Sequence, residues 1–139
     1  MRLKRWMRAA IARAMASLVD TSLWLHQLRR SGDPAQRARV VALLEAGRAA
    51  WCPPVRLELW RGVTGDADRR TLRQYEALVP DYPVTDDVWK LAIRAADRGR
   101  TVGLTVPLAD LLVFACAKAH RLDLAHDDDH FVQLEKIEL

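Results

Sequence analysis

The stretch LAHDDDHF at residues 124–131 places three adjacent aspartates between two histidines. Adjacent carboxylates repel one another, so the run costs stability unless a cation offsets its charge. Taken alone, the run is compatible with a metal site, with an acidic surface turn, or with a mixture of the two. The choice among them depends on whether acids elsewhere in the chain converge on this segment.

Three other acids stand in unusually apolar or tightly bounded surroundings. Asp20 follows SLV, Glu58 lies inside VRLELW, and Asp110 lies inside VPLADLLVF. Taken singly, each also has a structural interpretation, because Asp20 could cap a helix and Glu58 could pair with Arg61. Asp110 falls in the first turn of a predicted helix, where the helix dipole favours an acid. The sequence around each acid therefore leaves both interpretations open.

Considered together, these acids indicate an external cation. The apolar sequence after Asp110 would penalise an uncompensated negative charge, and no lysine or arginine adjoins the cluster. Hard oxygen ligands select Mg²⁺ or Mn²⁺ over zinc. Such ions activate water and stabilise the transition state of phosphodiester cleavage. By contrast, the chain has no GxxxxGK[ST] or GxGxxG motif, and its two cysteines and four histidines are too scattered for a zinc site.

The elements that must position these acids alternate between strand and helix patterns. Apolar runs predict strands at 16–20, 49–52, 122–126 and 136–139, with strand character at 79–84. Helical patterns lie at 23–30, 34–47, 53–62, 64–78, 86–100 and 107–120, with a short helix after the acid triplet. This alternation predicts an α/β sandwich with a mainly parallel sheet. Ligands of such sheets lie beyond the carboxyl ends of the strands, where Asp20 and the triplet are expected.

The charge is unevenly distributed along the chain of 139 residues. Residues 1–15 contain five basic residues and no acid, so the remaining 124 residues carry a net charge of −1 although the whole chain carries +4. We predict a basic extension at 1–15 and one domain at 16–139. The extension has amphipathic helical spacing, which suits a membrane, an acidic partner or RNA. It is also explained as a surface extension, or as a start assigned too early, since Met15 begins a plausible chain.

Other features bound the compartment. Cys52 and Cys116 both lie in apolar contexts, which predicts buried, reduced thiols and a cytoplasmic protein. No stretch reaches the roughly 18 apolar residues of a membrane helix, so we expect no membrane partner.

Four segments, in this order and at about these separations, resemble the motifs of the PIN-domain family, and within it the VapC-type toxins of bacterial toxin–antitoxin pairs: LVDTSLWL, PPVRLELWRG, TVPLADLLVFACA and LAHDDDHFVQL. The resemblance extends over nearly all of residues 16–139. It implies a three-layer α/β/α sandwich with a four- or five-stranded, mainly parallel sheet. It also implies a Mg²⁺- or Mn²⁺-dependent endoribonuclease that acts on RNA, often structured RNA such as tRNA. A homodimer and a cognate VapB-type antitoxin that blocks the acidic groove are implied as well.

Carried over residue by residue, the resemblance assigns the catalytic and metal-binding quartet to Asp20, Glu58, Asp110 and Asp128. The first, third and fourth would bind the metal directly or through water, and Glu58 would hold or deprotonate the attacking water. Alignment on Phe131 of the closing motif selects Asp128, and a slip of one residue would select Asp127 or Asp129 instead. His130 falls where many members of the family have another aspartate, so this chain departs from the pattern there.

Several further residues have two interpretations. Ser22 could contact the metal's outer sphere or a phosphate, or could cap a helix. His126 could touch phosphate or orient Asp128, or could serve only the strand end. Arg56 and Arg61 could contact RNA or antitoxin, or could lie on solvated helix faces. Two rival functions also stay open: a catalytically silent PIN-like binding module, and a DNA nuclease or phosphatase that uses the same metals.

Overall fold

A parallel sheet of three short strands underlies the fold: β1 (Ser17–Val19), β2 (Ala49–Ala50) and β3 (Asp123–Ala125). The computed structural model describes residues 2–139, with the backbone alone described at 12–14. The strand order is β2–β1–β3, and Leu18 of the central strand pairs with Ala50 on one side and Leu124 on the other. All three strands run parallel, so their carboxyl ends meet at one edge of the sheet.

Eight helices surround this sheet in the described part of the chain, and each helix predicted within residues 16–139 is present with ends within two residues of the prediction. They are α1 (Arg5–Ala14), α2 (Thr21–Leu28), α3 (Pro34–Glu45), α4 (Pro53–Gly62), α5 (Asp66–Leu78), α6 (Asp86–Thr101), α7 (Leu108–Ala119) and α8 (Asp129–Leu134). The β1–β2 and β2–β3 connections run in opposite directions across the sheet. Right-handed crossovers therefore place their helices on opposite faces, which gives the expected α/β/α layers.

The core fastens α2 to the end of the central strand. The Trp24 indole N–H donates to the Val19 carbonyl oxygen at 2.9 Å, and the Trp24 ring centroid lies 5.4 Å from that of Trp51. Both tryptophans are almost fully buried, as are Cys52 and Cys116, whose thiols are free. Trp24 is thus a core residue, and the prediction of buried cysteines is confirmed.

The predicted edge strand at 136–139 is wrong. The Ile137 N–H donates to the Leu134 carbonyl oxygen at 3.1 Å, so this segment continues from α8 as a turn. Its alternating apolar residues fit a turn equally well, because Ile137 still packs against the core. The count of four or five strands is not confirmed. Residues 79–84 contribute one parallel bridge, Trp51 to Asp81, and Pro83 has no N–H to extend it.

The amino-terminal segment forms the predicted amphipathic helix, α1. Its apolar residues are largely exposed, at 66% for Trp6 and 46% for Ile11. Met1 and the side chain of Arg13 lie outside the described residues. The division of the chain at 15 and 16 stays a prediction. Within residues 2–139, no helix has the length and hydropathy required to cross a membrane.

Candidate metal and catalytic site

Asp20 lies at the carboxyl edge of the sheet, where β1 passes into α2. Its backbone N–H donates to the Ala125 carbonyl oxygen at 2.9 Å, and its Oδ2 accepts from the Ser22 N–H at 3.0 Å. Asp20 is therefore the N-cap of α2, and the alternative that Ser22 caps this helix is wrong. The extended backbone at Asp20 lets its short carboxylate reach the exposed helix N–H groups, whereas Ser22 already lies within the helix.

The other carboxylate oxygen of Asp20 has no partner. Asp20 is 3% exposed, and its Oδ1 is buried without a hydrogen bond. Burial raises the pKa of this carboxyl, and the nearby charge of Asp110 raises it further. A buried, ionised oxygen without a partner is costly, so this atom is suited to a cation ligand.

Glu58 joins this edge from the middle of α4. The Thr21 hydroxyl donates to the Glu58 Oε1 at 2.9 Å. Burial raises the pKa of Glu58, and the charges of Asp20 and Asp110 raise it as well. Thr21 was not among the predicted site residues, although its place directly after the motif aspartate was a signal in the sequence.

Asp110 lies in the first turn of the buried helix α7 and is 8% exposed. Its Oδ2 is 2.7 Å from the His130 Nδ1, and the same Nδ1 is 3.4 Å from the Asp128 Oδ1. The hydrogen bond with Asp110 raises the pKa of His130, as do the charges of Asp128 and Asp110. Asp110, Asp128 and His130 each offer a ligand atom, all within 4.8 Å of one another.

The three aspartates of the triplet face three different surroundings. Asp128 caps α8, because its Oδ1 accepts from the His130 N–H at 2.9 Å, and it lies beside Asp110. The Asp127 Oδ2 instead lies 2.8 Å from the His26 Nε2, and Asp129 is exposed in the first turn of α8. The structure thus brings Asp128, rather than either neighbour, to the other acids.

A set of polar contacts ties the triplet loop to α2. The Ser22 Oγ accepts from the Asp127 N–H at 2.9 Å. The ring of His26, which contacts Asp127 through Nε2, is itself held by the turn after α2, because its Nδ1 accepts from the Asp33 N–H at 3.0 Å. Gly32 is required for this arrangement, because a Cβ there would collide with the His26 backbone carbonyl. Ser22 and His26 therefore hold the loop that presents Asp128. His26 was not among the predicted site residues, because no motif in the sequence marks it.

His126 lies behind Asp128. Its Nδ1 accepts from the Asp128 N–H at 3.3 Å, and its ring centroid lies 5.0 Å from that of Phe131. These contacts suit a residue that orients the Asp128 backbone while it packs on the core.

The four candidate acids thus share one electrostatic environment at the carboxyl edge of the sheet. The unpartnered Asp20 Oδ1 and the cluster around Asp110 fit a divalent cation, which would offset these charges. A protein-family model described as PIN domain matches residues 17–137. The chain belongs to the PIN-domain family.

Known proteins similar to this PIN domain include ribonucleases and toxin–antitoxin components. It is 30% identical over 123 residues to Ribonuclease VapC11 of Mycobacterium tuberculosis, covering 86% of this chain and 92% of that protein. The crystal structure of VapBC-5, a member of the VapBC family of toxin–antitoxin systems from Mycobacterium tuberculosis, matches with a TM-score of 0.65 and 26% identity, covering 87% of this chain and 91% of that chain. VapBC2 from Rickettsia felis, bound to a promoter DNA fragment, matches with a TM-score of 0.70 at 12% identity, covering 88% and 93%. The last match bears on the fold alone.

The two arginines on α4 of this PIN domain differ in their surroundings. The Arg56 Nη1 lies 2.8 Å from the Asp81 Oδ2, and its Nη2 pairs with Glu76. Its guanidinium also lies 5.8 Å from the centre of the Trp51 ring. Arg56 therefore joins α4 to α5 and the following loop. Arg61 is exposed, and its charge acts on Glu58, so it is the better placed of the two for an external contact.

This arrangement predicts that Arg56→Met lowers the free energy of unfolding by about 1 kcal/mol, a modest value because solvent screens these half-buried ion pairs. The bond with Arg56 lowers the pKa of Glu76 below its ordinary value of 4.5. The stabilisation of the fold by the Glu76 carboxylate is therefore present above pH 4.5 and is lost as the pH falls through the folded-state pKa of Glu76. Urea unfolding of Arg56→Met and of the matched control Arg61→Met measures the effect. Equal stability of the two variants would contradict the assigned role of Arg56.

Proposed function

We propose that this PIN domain is the toxin of a toxin–antitoxin pair and acts as a metal-dependent endoribonuclease. The observation that carries the proposal is the convergence of four acids, from α4, α7 and two strand ends, on one edge of the sheet. Ribonuclease VapC11, at 30% identity over most of both chains, supports the same activity. A catalytically silent binding module would not require a buried carboxylate oxygen without a partner.

The proposed cofactor is Mg²⁺ or Mn²⁺, because both accept carboxylate oxygens and keep water in their coordination shells. Asp20, Asp110 and Asp128 would hold it at the carboxyl edge of the sheet. A bound divalent cation would lower the pKa of a water molecule and neutralise charge on the phosphodiester.

Glu58 is the proposed general base. Its raised pKa makes its carboxylate a stronger proton acceptor near neutral pH than an ordinary glutamate. The bond from Thr21 fixes its Oε1, which orients the side chain towards the acids. In the proposed reaction Glu58 accepts the proton of the attacking water, while Asp20 and Asp110 would hold the cation.

The proposed partners follow from the same surface. Arg61 lies one helical turn from Glu58 and is exposed, so we propose that it contacts RNA phosphate or the antitoxin. The substrate is proposed to be structured RNA such as tRNA, because RNA is recognised largely by shape and by its single-stranded features. We also propose a homodimer and a VapB-type antitoxin whose carboxyl-terminal segment covers the acids. The VapBC-5 structure, from a toxin–antitoxin family, supports the antitoxin.

The deciding experiment uses the full chain purified free of antitoxin and an RNA labelled with a fluorophore and a quencher. We expect cleavage with Mg²⁺ or Mn²⁺, loss of cleavage with EDTA, and recovery when metal is restored. A DNA of the same sequence is the matched control. Absence of metal-dependent RNA cleavage would overturn the proposal, and preferential cleavage of the DNA would favour the nuclease alternative.

A further inference from the structure

An imidazole lies among the carboxylates of the site. His130 projects from the first turn of α8, and its Nδ1 is 2.7 Å from the Asp110 Oδ2 and 3.4 Å from the Asp128 Oδ1. One nitrogen thus faces two carboxylate oxygens from different elements of the fold. The three side chains offer one nitrogen and two oxygens at a spacing that one metal ion could bridge.

A second observation, independent of this trio, also points to a cation. The Asp20 Oδ1 is buried and has no hydrogen-bond partner, in a residue that is 3% exposed. The charge of Asp110 acts on this carboxyl, so the unpartnered oxygen belongs to the same electrostatic environment as the trio. His130 already contacts Asp110 and Asp128, yet it leaves this oxygen unsatisfied.

We propose that the Nδ1 of His130 is a ligand of the bound cation, and that this nitrogen makes the site prefer Mn²⁺ to Mg²⁺. The inference rests on the metal site of the proposed function and adds its selectivity. Mg²⁺ strongly favours oxygen ligands and retained water, whereas imidazole suits transition-metal ions. A site built from aspartates alone would lack this discrimination.

The backbone of His130 is held in place for this role, and the cation would replace the hydrogen bond between its Nδ1 and Asp110. The backbone N–H of His130 donates to the Asp128 Oδ1 at 2.9 Å, which holds both residues at the start of α8. The side chain of His130 is 39% exposed, so a proton displaced from Nδ1 on metal binding can pass to solvent. The competing role is that His130 only positions Asp110 through their hydrogen bond and never contacts the metal.

Electron spin echo spectroscopy of Mn²⁺ bound to the full chain, without RNA, separates these two roles. We expect modulation from a directly bound imidazole nitrogen in the wild type. The modulation should vanish in both His130→Asp and His130→Gln. Two substitutions are used so that the test still holds if one of the variants fails to fold. The matched control is His120→Gln, because His120 ends α7 about 15 Å further along the helix from Asp110. His120 bonds to the Pro83 carbonyl oxygen, and its variant should keep the signal.

Metal competition supplies the second readout. The Mn²⁺ affinity is measured from the electron paramagnetic resonance of free Mn²⁺, with Mg²⁺ as the competitor. We expect the ratio of Mn²⁺ to Mg²⁺ affinity to fall about tenfold in His130→Asp, since the substitution exchanges a nitrogen for an oxygen. An unchanged ratio would overturn the selectivity.

The outcomes distinguish this inference from the proposed function. If the protein binds Mn²⁺ and cleaves RNA but shows no nitrogen modulation, the inference about His130 is overturned and the proposed function stands. Modulation that survives in both His130 variants but disappears in His126→Asn would assign the nitrogen to His126 and overturn the inference. Nitrogen modulation that depends on His130, in a protein that cleaves no RNA, would support the ligand and overturn the ribonuclease.

Discussion

Replacing Asp110 with asparagine is expected to lower metal-dependent RNA cleavage by at least about 100-fold. The substitution keeps the size of the side chain but removes a charge that acts on both Asp20 and Glu58. It also weakens the charge-assisted contact with His130. Initial rates on the quenched RNA, at several concentrations of Mn²⁺, measure the loss.

The control for this substitution is Asp123→Asn, which makes the same chemical change at the exposed first residue of β3. That position lies at the opposite end of the strand from the acids, so cleavage should stay near the wild-type rate. Circular dichroism confirms that both variants are folded. A wild-type rate for Asp110→Asn would show that the assignment of the four acids is wrong.

Replacing Asp20 with asparagine is expected to stabilise the metal-free protein while it removes the response to metal. The ionised Asp20 carboxylate is buried with one oxygen unpartnered, and burial raises its pKa above the ordinary value of 3.8. The folded state therefore holds the Asp20 proton more tightly than the unfolded chain does. The loss of stability caused by the ionised carboxylate is absent at pH values below 3.8 and is complete above the folded-state pKa of Asp20.

The neutral amide avoids this cost and can still cap α2, because asparagine is also a preferred N-cap residue. We expect Asp20→Asn to raise the free energy of unfolding near neutral pH, with EDTA present, by about 1–3 kcal/mol. The gain should shrink as the pH falls through the folded-state pKa of Asp20. Urea unfolding at a series of pH values measures both effects.

Bound metal should make the wild type more stable than Asp20→Asn, which reverses their order of stability without metal. Mn²⁺ at about 100 times its dissociation constant would stabilise the wild type by about 2.7 kcal/mol, and Asp20→Asn by much less. Cleavage should be lost in the variant together with this stabilisation. If Asp20→Asn were less stable than the wild type without metal, a group within the protein would already offset the charge of the carboxylate. Asp20 would then not require a bound cation.

The sequence by itself determined the order and type of the helices, and the position of the acids beyond strand ends. These features depend on local patterns: apolar runs, a proline at the start of α3 and of α4, and a capping residue before α6. Glu58 and Asp110 could be selected because the four motif segments stand in a recognisable order. The buried cysteines followed from their apolar neighbours in the same way.

Alignment on Phe131 favoured Asp128 but left Asp127 and Asp129 open, and only the tertiary structure decided that Asp128 is the aspartate of the triplet that lies beside Asp110. The side chains of neighbouring residues in a turn point in different directions. Asp128, as the N-cap of α8, lies beside Asp110, whereas the side chain of Asp127 contacts His26. The contact of His130 with Asp110, 20 residues away, and that of Arg56 with Glu76 across two helices are likewise long-range. Spacing along the chain does not encode such contacts, because they depend on how the helices pack. The motif residues were therefore readable from sequence, whereas the nitrogen among the acids and the unpartnered oxygen of Asp20 emerged only from the folded chain.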